Sequence, residues 1–145
     1  MKTAVIVPTY NRPDALATVL AGYEAQSTQS FELIVADDGS TNATREVIDN
    51  LRARSKVSVQ HVWHEDLGFR LAAIRNRALA TSSADYIIFT DGDCVPHREF
   101  VAAHERLAEP GYFVAGSRVL LSEAFTQNSP AEAIPLSDLS GLNSL

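Results

Sequence analysis

The sequence predicts an α/β fold: a mostly parallel sheet flanked by helices. Short apolar runs alternate with stretches of helical period, the order that builds βαβ units. Residues 4–7, 31–36 and 85–90 are almost continuously apolar, as strands buried on both faces are. Three strands end in polar residues, Pro8-Thr9-Tyr10-Asn11-Arg12, Asp37-Asp38 and Asp91-Gly92-Asp93, and ligands of open parallel sheets sit outside the carboxyl ends of the strands.

Residues 4–7 end at Pro8 and form the first strand. Pro13 suits the first turn of a helix, where its missing N–H costs nothing. Leu16, Val19, Leu20 and Tyr23 then follow at i, i+3, i+4, i+7 as one apolar face. The second strand, 31–36, stops at Asp37-Asp38-Gly39-Ser40. Thr41 or Asn42 caps the next helix, with Val47, Ile48 and Leu51 inward. A third strand covers 57–63, interrupted by Gln60 and His61. A helix over about 70–79 buries Leu71, Ile74 and Ala78. The strand 85–90 follows, then a helix after Pro96 that buries Phe100, Val101, His104 and Leu107. Residues 112–120 read as a fifth strand. The chain thus divides into an α/β domain over 1–121 and an acidic, Ser- and Pro-containing tail over 122–145, which holds Glu123, Glu132 and Asp138 with no base.

The 145 residues, 46% apolar and 21% charged, suffice for one domain with a core. No apolar run is long enough to span a membrane. Met1-Lys2-Thr3 leads straight into 4–7 and Pro8, which is not the pattern of a signal peptide. A single cysteine permits no internal disulfide. The expectation is a cytoplasmic protein. The net charge of −6 argues against a nucleic-acid backbone as the main partner.

Two acidic pairs at one sheet edge repel unless a cation or ligand donors join them. Asp91 and Asp93, spaced by Gly92, offer hard oxygen ligands suited to Mg²⁺ or Mn²⁺, which take few protein carboxylates and complete their shells with substrate phosphates. Taken alone, the same residues also read as a turn cap and a solvated carboxylate. Other features reduce to bland readings. His61 and His64 read as surface residues, Arg75 and Arg77 as the solvated side of the third helix, and Glu65-Asp66 as its cap. His97 and His104 could share a helix face, and Cys94 reads as packing. Gly111 to Arg118 mimics a phosphate loop but lacks its lysine.

In order along the chain, Val5-Ile6-Val7-Pro8-Thr9-Tyr10-Asn11-Arg12, Glu32-Leu33-Ile34-Val35-Ala36-Asp37-Asp38-Gly39-Ser40, Gly68-Phe69-Arg70 with Arg75-Asn76, and Tyr86-Ile87-Ile88-Phe89-Thr90-Asp91-Gly92-Asp93 resemble the nucleotide-sugar-binding half of the family 2 glycosyltransferases, which have the GT-A fold. The stretch from Gly68 to Ala78 is especially similar to the bacterial polysaccharide and chondroitin-synthase branch. The resemblance covers about residues 3–120.

It implies that Pro8, Thr9 and Tyr10 line a uridine pocket, with the Tyr10 ring as a stacking face. Asp38 would accept from the uracil N–H, Arg70 would lie near the base or diphosphate, and Asn76 would brace the Arg70 loop. Asp91 would reach the ribose or a metal-bound water, with Gly92 between it and Asp93, which would ligate the metal bridging the phosphates. The partners implied are a UDP-sugar donor and a saccharide or glycoconjugate acceptor, in an inverting displacement that needs a general base. The acids after Asp93 are Glu99, Glu105, Glu109, Glu123, Glu132 and Asp138, and none sits in the Gly- and Trp-rich Glu-Asp motif of the family; the sole Trp is Trp63. No catalytic base is named. The expectation is a domain without its acceptor half, which further chain or a partner chain would supply. The alternative is a nucleotide-sugar-binding module without turnover. A second alternative rests on the D-x-D-x-[TV] pattern of Asp91 to Val95, shared with haloacid-dehalogenase-type phosphatases. That chemistry needs a downstream lysine, and both lysines, Lys2 and Lys56, lie upstream.

Overall fold

The computed structural model describes residues 1–123. Its elements run β1 (Thr3–Thr9), α1 (Pro13–Glu24), β2 (Phe31–Asp37), α2 (Asn42–Arg54), β3 (Ser58–Trp63), α3 (Leu71–Thr81), β4 (Tyr86–Phe89) and α4 (Phe100–Leu107). The four strands form one parallel sheet in the order β3-β2-β1-β4. Four of the five expected strands and all four expected helices are present, with bounds shifted by one or two residues.

Strand alternation splits the core in two. Val5, Val7, Leu33, Val35 and Ile88 face one side, where Leu16, Val19, Leu20 and Tyr23 of α1, Ile48 and Leu51 of α2, and Val101 of α4 cover them. Ala4, Ile6, Ile34 and Ala36 face the other, under Ile74 and Ala78 of α3. The chain steps outward from β1 to β2 to β3 and then returns past β1 to β4. Right-handed crossovers put helices of opposite travel on opposite faces, which accounts for α3 lying alone on its side.

The return also makes β1 and β4 the point at which the strand order reverses, where open α/β sheets hold ligands. The β1–β4 ladder stops at Ile6↔Phe89. Pro8 lies beyond it, so its missing N–H costs no bond on that side. Its carbonyl instead meets Gly92, where an added Cβ would lie 2.1 Å from the oxygen. Only glycine lets the 91–93 turn close so tightly onto β1.

Two expectations are corrected. Residues 112–120 form no strand: Tyr112, Phe113, Val119 and Leu120 are exposed, and no described strand runs alongside to share a ladder. In α4, Val101 is buried and Phe100 and His104 half-buried, but Leu107 is exposed, because α4 covers the sheet only through its first turns. The tail beyond residue 123 lies outside the described residues. Among those described, no helix is long and apolar enough to cross a membrane.

Candidate functional site at the carboxyl edge of the sheet

After β1, the chain turns through Asn11, whose φ of +47° lies in the left-handed region that asparagine tolerates better than most residues. Its N–H donates to Ser40 Oγ at 2.8 Å, and its Oδ1 accepts the Thr41 N–H at 2.9 Å. The loops after β1 and β2 are thereby joined. Thr41 precedes α2 as expected, but its side chain makes no capping bond. Thr9 is buried, whereas Tyr10 is 50% exposed, its ring at the edge and its hydroxyl donating to Asp66 Oδ2 at 2.9 Å. That bond and the Asp66 charge raise the Tyr10 pKa. Asp66 also accepts the Gly68 N–H at 3.1 Å, so it ties the 64–70 loop rather than capping α3, which has no side-chain cap.

Asp37 and Asp38 are buried at the end of β2, each facing a histidine. His61 Nε2 lies 2.8 Å from Asp37 Oδ2, and the Ser40 N–H donates to Asp37 Oδ1 at 2.8 Å. Burial works against the Asp37 charge, but His61 and Ser40 prevail and hold its carboxyl below the usual range. His64 Nε2 donates to Asp38 Oδ1 at 2.5 Å, and the Arg70 N–H to Asp38 Oδ2 at 2.8 Å. The surface reading of His61 and His64 is corrected: parallel pairing of β2 with β3 sets their rings against the two carboxylates. Asp38 already has a donor on each oxygen.

At the end of β4, Arg75 Nη2 donates to the Thr90 carbonyl and to Asp91 Oδ1, each at 3.0 Å. Arg118 Nη1 lies 3.5 Å from Asp91 Oδ2. Arg75 is therefore a site residue and not part of a solvated face; Arg77 is exposed. The Asn76 side chain is exposed and makes no hydrogen bond among the described residues, while Asp38 holds the Arg70 backbone. Asp93 is exposed, and the Cys94 thiol lies 3.6 Å from its carboxylate. Among the described residues, no acceptor meets the buried Nε–H of Arg70 or of Arg75. His97 precedes α4 and accepts the Glu99 N–H, while His104 on α4 meets the Tyr86 hydroxyl, so they share no metal-binding face.

Among the described residues no three His, Cys, Asp or Glu gather as a metal cluster. A lone carboxylate still fits Mg²⁺ or Mn²⁺ when a diphosphate supplies further oxygens. Asp93 is such a carboxylate, whereas both oxygens of Asp91 face arginines.

The fold defines an open parallel α/β domain, and its edge carries an acidic, arginine-flanked candidate site where the strand order reverses. The profile of Glycosyl transferase family 2 matches residues 4–143, and the chain belongs to that family. This sets aside the phosphatase reading of Asp91 to Val95. Over 107 residues the chain is 36% identical to validoxylamine A glucosyltransferase of Streptomyces hygroscopicus subsp. jinggangensis, covering 70% of this chain and 25% of that protein. It is 33% identical over 105 residues to chondroitin synthase of Escherichia coli, covering 72% and 15%. Among solved structures, S. aureus TarS 1–349 in complex with UDP-GlcNAc matches with a TM-score of 0.62 at 28% identity, over 73% of this chain and 30% of that one. The mannosyltransferase PcManGT of Pyrobaculum calidifontis, in complex with GDP-Man and Mn²⁺, matches with a TM-score of 0.66 at 27% identity, over 75% and 33%. The chain thus spans a third or less of the length of these four proteins.

Proposed function

We propose that this chain is the donor-binding part of a metal-dependent, inverting glycosyltransferase that moves a sugar from a UDP-sugar to a hydroxyl of a saccharide or glycoconjugate acceptor, in polysaccharide or glycoconjugate synthesis. The observation that carries this reading is the convergence, where the strand order reverses, of an exposed aromatic ring (Tyr10), an exposed carboxylate (Asp93) and arginines (Arg70 and Arg75) whose Nε–H groups find no acceptor among the described residues. A nucleoside diphosphate supplies the complement of each: a base to stack, phosphates to ligate a shared cation, and anionic oxygens for the arginines.

In this reading Pro8, Thr9 and Tyr10 form the nucleoside wall. Asp38 fixes the Arg70 loop, and a uracil N–H would have to share an oxygen that already accepts one bond. Asp93 would hold Mn²⁺ or Mg²⁺, and Asp91, restrained by Arg75 and Arg118, is two residues away. When bound, the metal offsets charge growing on the departing diphosphate. Deprotonation of the acceptor needs a carboxylate facing the same crevice. Glu99 is bonded to Ser27, and Glu105 to Thr3 at the opposite end of β1, so neither is assigned that task.

Titration calorimetry with UDP, GDP and ADP in Mn²⁺ tests the reading. The expected result is tightest binding of UDP; equal binding of all three contradicts the uridine assignment. An assay of UDP-sugar turnover by the same chain separates a transferase from a binding module.

A further inference from the structure

The two histidine–aspartate pairs at the ends of β2 and β3 serve different loops. The Asp37 carboxylate, besides facing His61, accepts the Ser40 N–H, which closes the turn into α2, while the Asp37 carbonyl accepts the His64 N–H at 3.4 Å. Asp38, besides His64, accepts the Arg70 N–H, which belongs to the loop before α3. Its own N–H donates to the Thr9 carbonyl at 3.0 Å, so Asp38 ties β1, the residue just after β3 and the Arg70 loop at one point.

That point is buried, with Asp38 5% and His64 4% exposed. The other ties of the loop, from Tyr10 and Gly68 to Asp66, are at the surface. Gly68 has a φ of +86° and Phe69 is 89% exposed, while Asp66 packs against Gly39, where an added Cβ would lie 2.6 Å from the Asp66 Cα. A carboxylate away from water keeps its place only with donors on its oxygens. Of the two donors, one is the loop itself; the other is His64.

We propose that His64 is a positioning residue for the nucleotide-sugar site: its Nε2–H fixes the Asp38 carboxylate so that Oδ2 holds the Arg70 backbone, and with it the Arg70 side chain, at the crevice. This rests on the donor-site reading above and assigns the origin of its order. Neutral imidazole suffices, since one ring nitrogen then donates. Without that donor, Oδ1 is left buried and unpaired, and the carboxylate turns toward water or Oδ2 loses its alignment.

The test combines UDP calorimetry in Mn²⁺ with amide hydrogen exchange at Arg70, in the wild-type chain, His64→Ala, His64→Gln and His64→Asn. Glutamine can place a nitrogen donor near the Nε2 position, and asparagine falls short. His64→Ala is expected to speed Arg70 exchange and weaken UDP about tenfold, the loss of one hydrogen bond to a charged group. Exchange at Val35 in the sheet centre stays unchanged. His64→Gln is expected to restore both readouts and His64→Asn neither. Should His64→Ala not fold, the glutamine and asparagine variants decide the matter. Wild-type Arg70 protection and UDP affinity in His64→Ala, or equal behaviour of the glutamine and asparagine variants, overturns the proposal. A wild-type chain that binds neither UDP nor GDP overturns the donor-site reading instead, while Arg70 exchange still decides whether His64 holds the loop.

Discussion

Arg75 reaches from α3 to the end of β4, where one terminal nitrogen donates at 3.0 Å both to the Thr90 carbonyl and to the Asp91 carboxylate. It thereby joins the helix on one face of the sheet to the acidic turn at its edge. Replacing it frees the turn and leaves Asp91 with Arg118 alone. Arg75→Ala is expected to weaken UDP binding in Mn²⁺ about tenfold by calorimetry. Arg75→Lys recovers only part of this, because a point charge cannot reproduce the planar guanidinium.

Gly92 packs where no side chain fits. A Cβ there would lie 2.1 Å from the Pro8 carbonyl oxygen, a backbone atom that cannot swing aside. Gly92→Ala is expected to cost about 1–3 kcal/mol in urea unfolding, as overpacking does, and to lower UDP affinity by moving Asp93.

Tyr10 separates ring from hydroxyl. Its bond to Asp66 is exposed, so Tyr10→Phe is expected to bind UDP within about a factor of two of the wild-type chain. Tyr10→Ala removes the stacking face and is expected to lose about fivefold. Equal affinity in all three chains would take the base away from Tyr10.

Asp37 sets an acid limit on stability. Its carboxyl is held below the usual range in the folded chain, so the folded state favours the charged form more than the unfolded state does. That stability is fully present above the unfolded carboxylate pKa of about 3.9 and is lost as pH falls through the lower folded value. Urea midpoints measured from pH 6 down to pH 3 are expected to fall, and to fall less in Asp37→Asn. Parallel pH profiles would contradict the assignment.

The architecture was legible because alternating apolar runs and helical faces are local patterns, and both acidic pairs mark strand ends. The fifth strand failed because 112–120 carries a strand-like composition but lies beside no ladder, and pairing is not a local property. His64 and Arg75 were missed for a related reason. A histidine at a strand end and an arginine on a short helix read as solvated until β2 sets Asp38 against the first and β4 sets Asp91 against the second. The unspent signal was the Asp37-Asp38 pair itself, since two adjacent carboxylates bound for burial require donors from a neighbouring strand.

In the proposed site Asp93 would hold a divalent cation shared with a nucleoside diphosphate. Calorimetry of UDP with and without Mn²⁺ tests it most directly, in the wild-type chain, in Asp93→Ala, and in Asp49→Ala on the exposed side of α2. Mn²⁺-dependent binding is expected in the wild-type and Asp49→Ala chains, and its loss in Asp93→Ala. Mn²⁺-dependent binding of equal strength in all three would contradict it.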